Sequence, residues 1–324
     1  MSSKKSVAPA RADAREKNNE SQKDSVSKPN RADLARTIWK SLLPDSPADA
    51  EGQRNEYIRS YLLALLDSHA VSKNYNVLIL FDEGRMVKSD ADHIYSAATK
   101  FGEERPLLVV LYSTGGVIGS AYLIGKLCRE YAKGKLVIVV PREAKSGATL
   151  LCCSADEIHM GSLSELGPID PQIDGLPALG LKSSIEHIAD LIKSHTHSSD
   201  MFAKYLNLSL KPIHLGYYER VAESAVQYAQ RLLKTHASGL RASPEQIARD
   251  LVYSYKDHGF VIDRAEAMEI FGEAVVKTKT PEYDLGNSMY ETMQFIARIA
   301  RALDHYFYFI GSCNSVPNFR KQQE

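Results

Sequence analysis

Two loops hold residues whose types and setting could support nucleophilic chemistry. The first, Ser113-Thr114-Gly115-Gly116, follows an apolar run and precedes a helical pattern. Paired glycines reach backbone conformations closed to other residues and let a ligand approach the main chain; taken alone they describe a tight turn equally well. The second, Glu143-Ala144-Lys145-Ser146-Gly147-Ala148-Thr149, sets Ser146 at the entrance of an apolar helix. Backbone N–H groups and the positive end of the helix dipole stabilise developing negative charge at such a place; taken alone, Ser146 is also an ordinary N-cap. The GxxxxGK and GxGxxG phosphate-loop patterns are absent. The serine does not stand in GxSxG, which disfavours an α/β-hydrolase elbow. The two loops together, thirty residues apart from Gly116 to Ser146, are more specific than either.

The elements that must position these loops are legible from hydrophobic patterning. Continuous apolar runs of strand length lie at Asn76–Phe81, Leu107–Tyr112 and Leu136–Val140, with a shorter one at Glu157–Met160. They alternate with helical patterns at Ser89–Phe101, Gly119–Tyr131 and Gly147–Ala155. Apolar strands alternating with helices predict a parallel sheet covered on both faces. Upstream, residues 1–30 carry almost no large apolar side chains and are expected to be disordered; helices are expected at Asp33–Leu43 and Gln53–His69. Downstream, helices are expected at Ser183–Ser194, Tyr217–Lys234 and Asp263–Phe271. Ser243, Pro244 and Gln246 mark another helix start by N-cap, N1 proline and capping partner. A short strand is expected at Ala274–Lys277, and the aromatic-rich tail Asn287–Ile310 reads as one long helix. The implied division is 1–30, a helical region 31–75, a main domain 76–280 and a C-terminal helix and tail 281–324.

Composition narrows the function classes. Lys+Arg and Asp+Glu both number 40, so the surplus positive charge of a nucleic-acid binder is missing. Cys128, Cys152, Cys153 and Cys313 are too few for a disulfide framework and form no CxxC pair. Without an apolar stretch of membrane-span length or a signal-peptide core, the expectation is a cytoplasmic protein with no integral membrane segment. His195-Thr196-His197 near Asp200 has poor spacing for zinc and reads as polar surface. The aromatic residues Tyr290, Phe295, Tyr306, Phe307 and Phe309 read as packing or a subunit contact.

The run LLVVLYSTGG, continued by GKLVIVVPREAKSGATLLCCSADEIHMGSLSELGPIDPQI, resembles the ClpP/crotonase superfamily. Within it the sequence is similar to the signal-peptide-peptidase A-like serine peptidases, and to their branch called the serine dehydrogenase proteinase family. The STGG loop, the KSGAT turn, the ADEI strand and the LGPIDPQ loop carry the resemblance, and DHGFVIDRAEAMEI at Asp257–Ile270 adds a weaker match. Thr114 departs from a more common proline. The resemblance spans roughly Asn76 to Val276.

The resemblance implies an α/β fold, a ClpP/crotonase-like spiral of parallel strands and helices with a helical C-terminal region, and hydrolysis of peptide bonds through an acyl-enzyme. Ser146 matches the nucleophile, and the N–H groups of Gly115 or Gly116, with that of Gly147, match an oxyanion hole. The Ser-His-Asp version of the superfamily has its histidine about 25 residues after the serine; position 171 is proline, Gly161–Glu186 holds no histidine, and His159 reads as packing. That leaves a Ser-Lys version, in which a desolvated neutral lysine takes the proton. Lys182 is the expected base and Lys193 the alternative. Lys145, in an extended segment, would point away. No metal or other cofactor is expected. The expected partners are a peptide or protein substrate and further copies of the chain, a trimer or a multiple of it. Two other readings stand beside this one: an acyl-CoA-processing crotonase-like enzyme, disfavoured because the helix after Gly147 has no carboxylate before Asp156, and a catalytically silent oligomeric scaffold.

Overall fold

In the computed structural model residues 29–173, 176–177, 180–209, 211–236 and 238–322 are described; the first 28 residues, on which the expectation of disorder rests, lie outside them. The three long apolar runs form β1 (Asn76–Asp82), β2 (Leu107–Ser113) and β3 (Leu136–Val140), parallel neighbours in one sheet. β4 (Glu143–Ala144) leaves that path, and β5 (Glu157–Met160) continues it, parallel to β3. β6 (Glu165–Leu166) follows, then the hairpin strands β7 (Gln172–Ile173) and β8 (Leu176–Pro177). The later strands are β9 (Ile262–Asp263), β10 (Val276–Lys277), β11 (His305–Gly311) and β12 (Asn318–Lys321). The main order is β10-β5-β3-β2-β1-β11-β12, with β11 and β12 antiparallel to their neighbours.

Alternate residues of the central strands face opposite ways, as a pleated strand requires. Leu78, Leu80, Val109, Leu111 and Ile138 enter one apolar core; Val77, Ile79, Leu108, Val110, Val137 and Val139 enter the other. The second face is covered by α1 (Arg31–Leu42), α2 (Ala50–Ser68) and a long C-terminal helix, and the first by α3 (Lys88–Ala98), α4 (Ile118–Tyr131) and α5 (Gly147–Cys152), with helices of the downstream region. That region comprises α6 (Gly180–Ser194), α7 (Ser199–Ser209), α8 (Pro212–Leu233), α9 (Pro244–Tyr253) and α10 (Arg264–Phe271), and the chain then enters α11 (Pro281–Arg301). The start signals act as expected at α9 and α10: the Ser243 hydroxyl accepts from Gln246 N–H at 3.2 Å, and Asp263 accepts from Glu266 N–H at 2.9 Å. At α1 the cap is Asn30, three residues before the expected start, with Asp33 completing the capping pair.

The tail corrects the expectation of one helix over Asn287–Ile310. α11 ends at Arg301, Asp304 turns the chain at φ 56°, and residues 305–311 form β11, antiparallel to β1 with Phe81 opposite Phe309 and Leu80 opposite Ile310. A continuous aromatic run has no clean period, and the open edge of β1 decides its conformation. Phe307 and Phe309 are buried there, each contributing about 1.5–3 kcal/mol through its burial.

A second, short ladder branches from the end of β2. Ser113 pairs with Ala144 of β4, β4 pairs with β6, and β6 pairs antiparallel with β9. Ser146 lies at the end of β4 in this branch, and two further segments, after β6 and before β9, lie beside it.

Candidate active site

Ser146 is half-buried between β4 and α5, with φ 50° and ψ −116°. A serine in such a sparsely populated region costs about 1–3 kcal/mol and persists only where its surroundings over-determine it. The restraints are visible. Lys145 N–H donates to Ser113 O at 3.0 Å, Ala148 N–H donates to Lys145 O at 2.8 Å, and Leu150 N–H donates to Ser146 O at 3.0 Å. Behind the turn the Thr149 hydroxyl donates to Ala144 O at 2.6 Å and accepts from Gly167 N–H at 3.0 Å. The turn is thus pinned to β2 on one side and to the 166–170 loop on the other.

The glycine loop presses directly on that turn. Gly115 (φ 98°) and Gly116 (φ 154°) both have positive φ. A Cβ on Gly115 would stand 2.5 Å from Lys145 O, 2.8 Å from Ser146 Cβ and 2.9 Å from Gly147 N, so only glycine fits. Gly116 is held from behind by Met86, whose N–H donates to Gly115 O at 2.8 Å and whose carbonyl accepts from Val117 N–H at 2.9 Å. Gly115 N–H is engaged by the Ser113 hydroxyl at 3.1 Å. Gly116 N–H and Gly147 N–H have no acceptor among the described residues, and the two residues touch: a Cβ on Gly147 would lie 3.2 Å from Gly116 N. Two donors without acceptors among the described residues and a serine of strained backbone therefore meet at one place, an arrangement able to hold a carbonyl oxygen as it gains charge.

The lysines separate. Lys145 is engaged by other groups: Nζ donates to Leu166 O at 3.1 Å and Phe260 O at 3.4 Å and pairs with Glu165 at 3.3 Å. Lys193, near the end of α6, is exposed and pairs with Asp190 at 2.8 Å; the hydrogen bond and charge of Asp190 push its pKa up, opposite to the shift a neutral base requires. Lys182 falls in the first turn of α6, and its side chain lies outside the described residues. His159 is buried, with Nε2 2.9 Å from a Glu157 oxygen and Nδ1 2.7 Å from the Thr280 hydroxyl; burial pushes its pKa down. Its polar atoms are occupied on the far side of β5, as a packing residue's are. His195 and His197 lie on an exposed turn.

One pair escaped the sequence reading. Asp170, buried in the loop after β6, accepts a hydrogen bond from His258 Nδ1 at 2.7 Å and another from Gln172 Nε2 at 2.8 Å. His258 lies 112 residues beyond Ser146, far outside a window centred 25 residues on. The only sequence signal was its place in the weaker DHGF match.

Residues 85–204 match the family model described as ClpP-like SDH-type serine proteinase. Two uncharacterized proteins of Methanocaldococcus jannaschii are similar, at 30% identity over 97 residues and 28% over 107, covering 30% and 33% of this chain. The matches span about a third of those relatives' length, 34% and 36%. Two solved structures of the 1510-N membrane-bound stomatin-specific protease, both single-residue variants and one in complex with a substrate peptide, align at a TM-score of 0.41 and 12% identity. They cover 68% of this chain and 84% and 81% of theirs. No described helix is long and apolar enough to cross a membrane. The stretch from Arg85 to Lys204, which holds the glycine loop, Ser146 and Asp170, is thus similar to the ClpP-like SDH-type serine proteinases, the family the sequence resembles.

Proposed function

We propose that the chain is a serine peptidase that cleaves peptide bonds through an acyl-enzyme on Ser146. The observation that carries this reading is the strained Ser146 turn set against two unengaged N–H groups, those of Gly116 and Gly147. Strain that would be removed by any ordinary turn is retained where it aims a side chain. The Ser146 hydroxyl attacks the substrate carbonyl carbon, and the carbonyl oxygen, becoming an oxyanion, accepts from Gly116 N–H and Gly147 N–H. Gly115 serves by its shape, since its own N–H is engaged by Ser113. The resemblance supplies Lys182 as the group that takes the serine proton, with Lys193 as its alternative. It also supplies assembly into trimers or multiples of them.

The test is cleavage of an unstructured protein substrate, with product ends mapped by mass spectrometry. Wild type is expected to generate new amino termini, and Ser146→Ala is expected to generate none while melting at an unchanged temperature. Equal cleavage by both proteins overturns the assignment.

A further inference from the structure

We infer that the C-terminal strand β11 sets the oxyanion pocket: the Tyr306 hydroxyl, bound to Asp82, positions Gly116 N–H through the segment 83–87. This rests on the reading of Ser146 as nucleophile and of Gly116 N–H as an oxyanion donor. Asp82, the last residue of β1, stands level with Ser113, from which the glycine loop departs. The segment that follows Asp82 runs along that loop and is hydrogen-bonded to it. Met86 N–H donates to Gly115 O at 2.8 Å, Val117 N–H donates to Met86 O at 2.9 Å, and the Thr114 hydroxyl donates to Glu83 O at 3.2 Å. The two backbones are in direct contact: a Cβ on Gly116 would stand 2.3 Å from Met86 N and 2.5 Å from Met86 O. A displacement of Met86 is therefore a displacement of Gly116, whose N–H is the donor.

The segment is fixed at both ends by buried carboxyl groups. Asp82 Oδ1 accepts from Gly84 N–H at 2.8 Å, and Asp90 Oδ2 accepts from Val87 N–H at 2.7 Å. The two ends differ in what holds them. Asp90 lies in the first turn of α3 and reaches back to the residue before the helix, as the acid of a capping box does. Asp82 is held by a group 224 residues away: the Tyr306 hydroxyl donates to the same Oδ1 that receives Gly84 N–H. The fit there is tight, since a Cβ on Gly84 would be 2.8 Å from Tyr306 Oη and 3.1 Å from Asp82 Oδ1. Burial and the Asp82 carboxylate push the Tyr306 pKa up, so the hydroxyl keeps its proton and stays a donor. Glu83 is tied to the same C-terminal unit by Arg301, at the end of α11. On the opposite face of β11, Phe307 and Phe309 fill their core with no hydroxyl; on this face the ring packs and the oxygen reaches Asp82. Tyr306 acts on the donor through Asp82 and the segment, and is a positioning residue.

The test is covalent labelling of Ser146 by a fluorophosphonate, followed by intact mass, with the maximal rate and the half-saturating probe concentration measured separately. Tyr306→Phe removes one oxygen and keeps the ring. It is expected to lower the maximal rate about 10-fold and to leave the half-saturating concentration within about twofold. Tyr308→Phe is the matched control. It makes the same deletion two residues along the same strand, from a hydroxyl that accepts from Arg320 at 2.6 Å and bonds no residue of the 83–87 segment. It is expected to label at the wild-type rate. Asp82→Asn keeps an oxygen acceptor for Gly84 and Tyr306 and is expected to stay within about threefold of wild type, whereas Asp82→Ala is expected to fall at least about 10-fold. A wild-type maximal rate in Tyr306→Phe, an equal loss in Tyr308→Phe, or a change confined to the half-saturating concentration overturns the assignment and leaves Ser146 as nucleophile. A wild-type protein that is not labelled at Ser146 overturns the nucleophile reading on which it rests.

Discussion

Replacing Gly115 by alanine tests whether the glycine loop sets the nucleophile's position. The new Cβ meets two penalties. At φ 98° an alanine is strained by about 1–2 kcal/mol relative to glycine. It also stands 2.5 Å from Lys145 O, with Ser146 Cβ and Gly147 N at 2.8 and 2.9 Å. The carbonyl must recede to about 3.4 Å for ordinary contact, a displacement of about 0.9 Å. Two of these obstacles are backbone atoms of the turn and the third is the Cβ of Ser146, so the turn itself must move. A misplacement of about 1 Å costs on the order of 100-fold in rate. Gly115→Ala is therefore expected to slow fluorophosphonate labelling of Ser146 by about two orders of magnitude, with a lower melting temperature. Gly134→Ala supplies the control: its φ is 80°, nothing lies within 4 Å of the added Cβ, and it sits before β3. It should lose about 1 kcal/mol of stability from strain alone and label normally. Wild-type labelling by Gly115→Ala would refute the claim that this loop positions the serine.

Burial pushes the pKa of both His159 and His236 below the ordinary histidine value, so in the unfolded chain they bind protons first as pH falls. Their contribution is fully present above about pH 7 and is lost as pH drops through about 6.5 toward the folded values, at up to about 1.4 kcal/mol per pH unit each. Urea unfolding at pH 7.5, 6.5 and 5.5 should show falling stability, and a level or rising trend would contradict it. All four cysteines are buried, and burial pushes the thiols of Cys128, Cys153 and Cys313 up to about 12. A thiol-disulfide reagent at pH 8 should therefore find none in the native protein and four after denaturation; fast native labelling would contradict this. Light scattering at micromolar concentration should report three chains or a multiple per particle, and a monomer would remove the assembly expected from the resemblance.

The elements around the site were legible where one physical signal dominated. β1, β2 and β3 are unbroken apolar runs, and nothing but a sheet covered on both faces buries such a run. α9 and α10 begin where Ser243 and Asp263 offer caps. The tail was illegible because Tyr306 to Ile310 are apolar on every face, and the choice between helix and strand lies with the edge of β1. The glycine loop and Ser146 could be paired from spacing, but the sequence could not tell Gly115 from Gly116; in the structure the Ser113 hydroxyl accepts from Gly115 N–H, and Gly116 N–H has no acceptor among the described residues. The Asp170–His258 pair was hidden for a different reason. Its members are 88 residues apart in sequence, and the ladder β4-β6-β9, built from two-residue strands, is too short to leave a periodic signature.

The central claim is that Ser146 is an activated nucleophile, and a covalent-probe mass map tests it most directly. Wild-type protein treated with a fluorophosphonate at neutral pH should gain one probe mass, and peptide mapping should place it on Ser146. Ser146→Ala, equally folded by melting temperature, should gain none. An unmodified wild type, or a probe placed on any other residue and retained in Ser146→Ala, would contradict the account.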